Sequence, residues 1–507
     1  MLTDPAQRRL PHWLLRSALA LGIGAAALPG LALATTPPAA TPLASPAAAA
    51  FTPGAPGIGD PYYPLLGNGG YDVAHYAIDM KLDIPDGSID AATTTIDAFA
   101  TQGLSSFNLD FRGPEIDAIT VAGAPATYSR EGGELTVTPA APIADGAPFQ
   151  TVVTYHGKPD GGDDRFERGW WANGDSIFAV GEPAGSDVWY PVNGHPLDKA
   201  TYTLRITTPD KYNVVANGTL AAKEIASMAE GPSLTTYVWE NVDPTASYLV
   251  TFHAGTFVTE TADGPDGITL ITALPPDLSG REAEVFDKTP EIVETFSALF
   301  GPYPFTSLGQ TVTDDTDFNA ALETQTMITY DASSAREPTV AHEIAHQWFG
   351  NNVSLERWQD IWLNEGFARY AQILWDEAEY GQEKADRTLN SQIASFANAT
   401  RTPDGQGLKI GDPGPDNLFS EVVYAGGAVF LSQLRAEMGD DAFFDLLREW
   451  NARYAYRNAN RADFEALANE IAGRDLSAFF ASWLDTPWTP DRVADTFALP
   501  SAGTPIN

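Results

Sequence analysis

The chain has 507 residues, enough for two or three domains, and its 44 % hydrophobic and 11 % aromatic content supports packed cores. It contains no cysteine, which excludes disulfides, thiolate metal sites and thiol nucleophiles. A formal net charge of -38 repels phosphate backbones and argues against nucleic-acid partners, while it favours solubility outside the cell and attraction of cationic groups.

Taken in chain order, Arg8, Arg9 and Arg16 form a positive start, followed by an apolar run from Ser17 to Ala34 that ends in Ala32-Leu33-Ala34. This is the pattern of a signal peptide cut after Ala34, so residues 1–34 are expected to be an export signal, with a secreted or extracytoplasmic product and no stable membrane insertion after cleavage. Residues 35–57 are Ala/Pro-rich and read as an extended linker. Residues 58–270 read as an all-β domain, with short runs at Val152–Tyr155, Tyr202–Ile206, Val214–Ala216 and Tyr248–Phe252 between Gly, Asn, Asp and Pro punctuation. The character changes near Leu274-Pro275-Pro276. Across residues 271–490 helices dominate: Glu282 to Phe300, a helix with Pro338 in its first turn and Gly350-Asn351 at its end, and Ile361 to Tyr380. A Pro-rich stretch from Thr486, with 491–507 as a tail, is expected to be irregular. The fold class is therefore α+β and multidomain.

His342-Glu343-Ile344-Ala345-His346 carries the chemistry. On a helix the two histidines share one face, one turn apart, and both reach one metal ion. Glu343 is rotated by about 100° from His342 and addresses water rather than the metal. Eighteen residues after His346 comes Glu365, in Trp362-Leu363-Asn364-Glu365-Gly366-Phe367-Ala368, a third ligand on a second helix. Three protein ligands and one open position are the donor set of a catalytic zinc site. Zinc in such a set activates water, and Glu343 serves as general base and then acid, which suits amide hydrolysis. The spacing alone leaves exopeptidase and endopeptidase open. Asp360, just before the second helix, is a candidate acceptor for a ligand's free N–H.

With these motifs, the chain resembles the gluzincin aminopeptidases, which include alanyl aminopeptidases and leukotriene hydrolase, over about residues 57–490. The resemblance implies a saddle-like β domain followed by a thermolysin-like catalytic domain, one zinc ion per chain, and peptide substrates with a free amino terminus. Ala320-Ala321-Leu322-Glu323-Thr324 is similar to the family's Gly-x-Met-Glu-Asn segment, which assigns the substrate's amino terminus to Glu323. Tyr424, in Val422-Val423-Tyr424-Ala425-Gly426-Gly427, matches the tyrosine that stabilises the oxyanion. Gly181-Glu182-Pro183 resembles the β-domain segment that lends a second amino-terminus ligand, Glu182. Ala320, Leu322, Thr324, Val180 and Gly426 depart from the family's usual residues and bear on side-chain preference. The large C-terminal helical domain of many relatives is not expected here, which implies a more open cleft. A zinc endopeptidase, a non-catalytic binding protein on a peptidase scaffold and a lipid-epoxide hydrolase are the competing readings.

Overall fold

Tyr71–Asp83 alternates buried and exposed side chains, the period of a strand that packs on one face. In the computed structural model it is a central strand of an eight-stranded sheet ordered Thr219–Ala226, Leu234–Thr245, Ala200–Pro209, Tyr71–Asp83, Ser88–Ala100, Pro148–Gly157, Glu115–Val121, Ala124–Pro125. Only the Ala200–Pro209 and Tyr71–Asp83 pair runs parallel in this sheet. Two four-stranded sheets complete the β region. The structure describes residues 50–498 apart from 163–166, 228–230, 277, 279–282 and 314–316. The expected export signal and most of the expected linker lie outside the described residues. Within them, no helix is long and apolar enough to cross a membrane.

Four expectations need correction. Thr52–Pro53 pairs with Leu104–Asp110, so the stretch up to residue 57 is not all extended linker. The Tyr248–Phe252 run is a single helical turn, Ser247–Leu249, leading into the strand Phe252–Gly255. Here the buried Asn217 side chain takes the place of a ladder, donating to the Leu249 carbonyl at 2.9 Å and accepting from the Thr251 N–H at 2.6 Å. The expected division at residue 270 falls inside the strand Thr269–Leu274. That strand continues into a five-stranded sheet ordered Val258–Asp263, Thr269–Leu274, Ser307–Thr313, Met327–Asp331, Ala321–Leu322. Finally, the stretch after Thr486 contains the helix Pro490–Phe497. The Thr489 side chain caps it, accepting from the Arg492 N–H, and Pro490 starts it; this Thr-Pro start signal outweighs the Pro-rich composition.

Five of the helices in the second half are α1 (Thr289–Phe300), α2 (Glu337–His346), α3 (Trp362–Tyr380), α4 (Gln382–Ala399) and α5 (Tyr424–Met438). The expected Glu282–Phe300 helix is helical throughout its described residues, 283–300, with a tighter turn at Val285–Lys288 ahead of α1. Helix α2 ends at His346 itself rather than at Gly350, where the chain adopts a φ of 122° that favours glycine. Helices α3 and α5 touch through glycines: a Cβ on Gly427 would stand 2.6 Å from the Gly366 Cα. That contact lets the two backbones approach as no larger pair of residues would allow.

Two buried charged groups tie the halves together. Asp60 accepts from the Tyr62 and Tyr63 N–H groups, from the Trp358 N–H at 2.9 Å, and pairs with His195 at 3.1 Å. Lys199, whose pKa burial pushes down to about 7, donates to the Asn351 and Asn352 carbonyls at 2.7 and 3.2 Å. For Asp60, burial opposes ionisation, but His195 and the three backbone donors bring its pKa below the ordinary aspartate value of 3.8. Its contribution is therefore complete above that value and fades as the pH falls below it. We expect Asp60→Ala to cost about 3 kcal/mol in urea denaturation at pH 7, because three N–H donors and an imidazole lose their acceptor. The difference from wild type should shrink toward pH 3. An unchanged midpoint at pH 7 would refute the clasp.

Candidate metal centre and substrate cleft

Arg336 is extended, Pro338 lies in the first turn of α2, and Val340 to His346 are all buried. His342 and His346 therefore leave the helix on one inward face. His346 Nδ1 stands 3.0 Å from the Phe349 carbonyl. A carbonyl only accepts, so Nδ1 carries the hydrogen and the lone pair sits on Nε2. That Nε2 is 3.1 Å from His342 Nε2 and 3.4 Å from Glu365 Oε2, and His342 Nε2 is 3.1 Å from the same oxygen. Zinc bonds of 2.0–2.1 Å at tetrahedral angles place donor atoms about 3.3 Å apart. The triangle thus fits a zinc ion in its donor types and in its size.

The electrostatics point the same way. Burial pushes the His342 pKa down to about 4, so its imidazole is neutral and its lone pair available. For His346 burial acts against charge, but the carboxylates of Glu323, Glu365 and Glu343 outweigh it and raise the pKa to about 10. Burial opposes ionisation of Glu365 too, yet His346 and His342 hold its carboxyl well below the usual range. The field that draws a proton onto His346 is the field that favours a metal cation between these atoms.

Glu343 is buried beside the triangle, and burial, with Glu323 and Glu365, pushes its pKa well up against the pull of His346. Glu323 follows the edge strand Ala321–Leu322. Its backbone carbonyl is fixed by the Gln347 and Asn351 side-chain amides at 3.1 and 2.8 Å. Carboxylate oxygens of Glu182, Glu323 and Glu365 lie within 4.8 Å of one another. Among the described residues, one oxygen each of Glu182 and Glu323 is buried without a hydrogen-bond partner. Burial, then Glu323, raises the Glu182 pKa well above the ordinary carboxylate value. Tyr424 begins α5, and its ring stacks on His342 with centroids 6.0 Å apart. Burial and the nearby carboxylates keep its hydroxyl protonated, a donor facing the cleft.

These groups line a cleft of about 350 Å³. One wall is apolar: Val180, Phe318, Ala320 and Leu322 pack with Trp171 and Phe178 behind them. Thr324 turns inward instead, donating to the Met327 carbonyl. Gly426 packs against Phe396 and Ile410, where a Cβ would meet the Phe396 ring at 2.8 Å. Asp360 does not serve a metal ligand: its carboxylate pairs with Arg357 and accepts from the Arg461 N–H.

Residues 285–483 match the family model described as the Peptidase family M1 domain. This segment is similar to that family. Among curated M1-like relatives, Aminopeptidase N of Streptomyces lividans is 29 % identical over 313 residues, 57 % of this chain and 35 % of that protein. Human Glutamyl aminopeptidase is 26 % identical over 321 residues, 60 % of this chain and 33 % of that protein. The chain thus spans about a third of the length of these relatives. Among solved structures, an M1 zinc metallopeptidase from Deinococcus radiodurans superposes with a TM-score of 0.76 at 26 % identity, covering 89 % of this chain and 99 % of that one. A mutant of the Deinococcus radiodurans M1 zinc metallopeptidase bound to a Tyr-Ser-Ala substrate gives a TM-score of 0.74 at 27 % identity, over 84 % and 97 % of the two chains. The expected α+β architecture, a β domain followed by a mainly helical domain, is that of these M1 structures.

Several cleft residues are given no role by the sequence motifs. Gln347 and Asn351 hold Glu323, and their position right after the His-Glu-x-x-His motif was the available signal. Asn364 donates to the Tyr248 hydroxyl at 3.3 Å, a link no local pattern encodes. Arg369 lines the cleft one turn beyond Glu365. Because a metal that binds only the folded chain stabilises it, zinc should raise the melting temperature of chelator-treated protein by several degrees. His346→Ala should remove most of that rise in a calorimetric scan; an undiminished rise would place the metal elsewhere.

Proposed function

We propose that the chain is a secreted, zinc-dependent aminopeptidase that releases the amino-terminal residue of peptides. The observation that carries this reading is the convergence of Glu182 and Glu323 on Glu365, within 4.8 Å, beside the His342–His346–Glu365 triangle. Two carboxylates adjacent to a three-ligand set form an ammonium receptor one residue's reach from the scissile carbonyl. The Tyr-Ser-Ala substrate bound in a mutant of the Deinococcus radiodurans M1 metallopeptidase is consistent with a peptide ligand here. Export is supported by the arginine-led apolar run that ends in Ala32-Leu33-Ala34.

His342, His346 and Glu365 would hold one zinc ion. Bound there, zinc acidifies water and polarises the scissile carbonyl. Glu323 and Glu182 bind the α-ammonium and set the register, so one residue lies between the anchor and the cleaved bond. Glu343 accepts the proton of the attacking water, and its high pKa suits the later step, in which the carboxyl gives that proton to the leaving amine. The Tyr424 hydroxyl donates a hydrogen bond to the oxyanion of the tetrahedral intermediate. The apolar wall of Val180, Phe318 and Leu322 adjoins the anchor and receives part of the first side chain.

Glu343→Gln should lower kcat on an aminoacyl anilide by at least about 100-fold with zinc content unchanged, since it removes the proton acceptor. Retained turnover would remove Glu343 from the mechanism. An amino-terminally acetylated peptide should be inert, because it offers no ammonium to Glu323 and Glu182. Efficient cleavage of it would identify an endopeptidase instead. Glu323→Ala should reduce kcat/KM by about 10- to 100-fold, as expected for loss of a buried charge-assisted contact.

A further inference from the structure

Arg369 lies four residues after Glu365 on α3, so both side chains leave the helix on the same face, into the cleft. Among the described residues lining the cleft it is the one Lys or Arg, set against the carboxylates of Glu182, Glu323, Glu343, Glu365 and Glu421. Its guanidinium covers the Tyr424 ring at 5.2 Å from the centroid, and its Nη1 donates to Gln392 at 3.2 Å. Its Nη2 stands 3.5 Å from Glu421, longer than a strong charge-assisted hydrogen bond, and the Glu421 side chain is 44 % exposed. This pairing is loose enough for another carboxylate to compete.

The position of Arg369 gives the cleft a polarity. His342, the Tyr424 ring and the guanidinium form successive layers, 6.0 and 5.2 Å apart. Glu323 Oε1 lies 3.9 Å from His346 Nδ1, whereas the Tyr424 ring and the guanidinium stack outward from His342. Glu323 therefore borders the His346 end of the metal triangle and the guanidinium the His342 end. A short peptide has the same polarity, with an ammonium in front and a carboxylate behind. The two layer spacings bound the reach to about three residues beyond the cleaved bond, at about 3.5 Å each.

We propose that Arg369 receives the C-terminal carboxylate of the substrate, displacing Glu421, so that the cleft selects peptides of about two to four residues with a free carboxyl end. The orientation rests on the aminopeptidase reading above. A chain of net charge -38 would otherwise repel such an end, and a local guanidinium reverses that repulsion where it matters.

The test is calorimetric, on the zinc-loaded full chain carrying Glu343→Gln, with Leu-Gly-Gly and its C-terminal amide as probes. The acid should bind about 10-fold more tightly than the amide. Adding Arg369→Gln should bring the ratio near one, and Arg369→Lys should restore part of it. Adding Glu421→Gln should widen the ratio by freeing the guanidinium. Any disturbance of Tyr424 affects both probes and cancels in the ratio. Equal affinities of acid and amide in the parent overturn the proposal, as does a ratio indifferent to Arg369→Gln. If that variant does not fold, the parent ratio and Glu421→Gln decide. Leucine anilide, which lacks a carboxylate, separates the two claims. Its turnover by wild type with equal acid and amide affinities refutes the Arg369 role alone; no turnover with a clear acid preference refutes the peptidase reading alone.

Discussion

Glu182, Glu323 and Glu365 place carboxylate oxygens within 4.8 Å of one another, and Glu343 lies buried beside them. At an effective dielectric of 20, each charged pair at that distance repels by about 3.5 kcal/mol. Such a cluster persists only where positive charge is brought to it. The imidazoles supply part, and in the proposed function a metal cation and the ammonium of a bound peptide would supply the rest. The cleft is thus built as a deficit of positive charge, and its chemistry follows from which cations fill it and in what order. The raised pKa values of Glu182, Glu323 and Glu343 are the same deficit seen from the proton's side.

A deficit of this kind needs rigid walls, because carboxylates free to move would turn toward water. The walls come from backbone contacts of unusual closeness. Gly366 against Gly427 brings α3 to α5, so Glu365 and Tyr424 are held by two helices with no side chain between their backbones. On the other side the Glu323 carbonyl is gripped by two amides from the segment after α2. Glu365, Glu343 and Glu323 are therefore fixed to one another through α2, α3 and the edge strand.

Much of this was legible in the sequence for a simple reason: groups that act together on one helix have short, periodic spacing. His342, Glu343 and His346 could be read from helical geometry alone, and Glu365 from its fixed distance and its Trp-Leu-Asn-Glu context. Strands with clear alternation, such as Tyr71–Asp83, are legible for the same reason. What failed was local reading of non-local bonds. The Tyr248–Phe252 run looks like a strand, but Asn217 takes up its backbone groups from thirty residues away. Asp360 has the right sequence position to support a metal ligand, yet Arg357 and Arg461 claim it. The Pro490–Phe497 helix was hidden by composition, although Thr489-Pro490 announces its start.

The clasps at Asp60 and Lys199 bear on whether the two halves can be separated. Asp60 joins Trp358 across 298 positions, and Lys199 closes the turn that presents Asn351 to Glu323. The segment 285–483 that matches the family model therefore lacks Glu182, which closes the carboxylate cluster, and the partners of three of its backbone groups. It is a unit of recognition in sequence but not a self-contained unit of structure. A cut between the halves would leave each of these buried groups without its partner, so the β half and the metal half depend on one another.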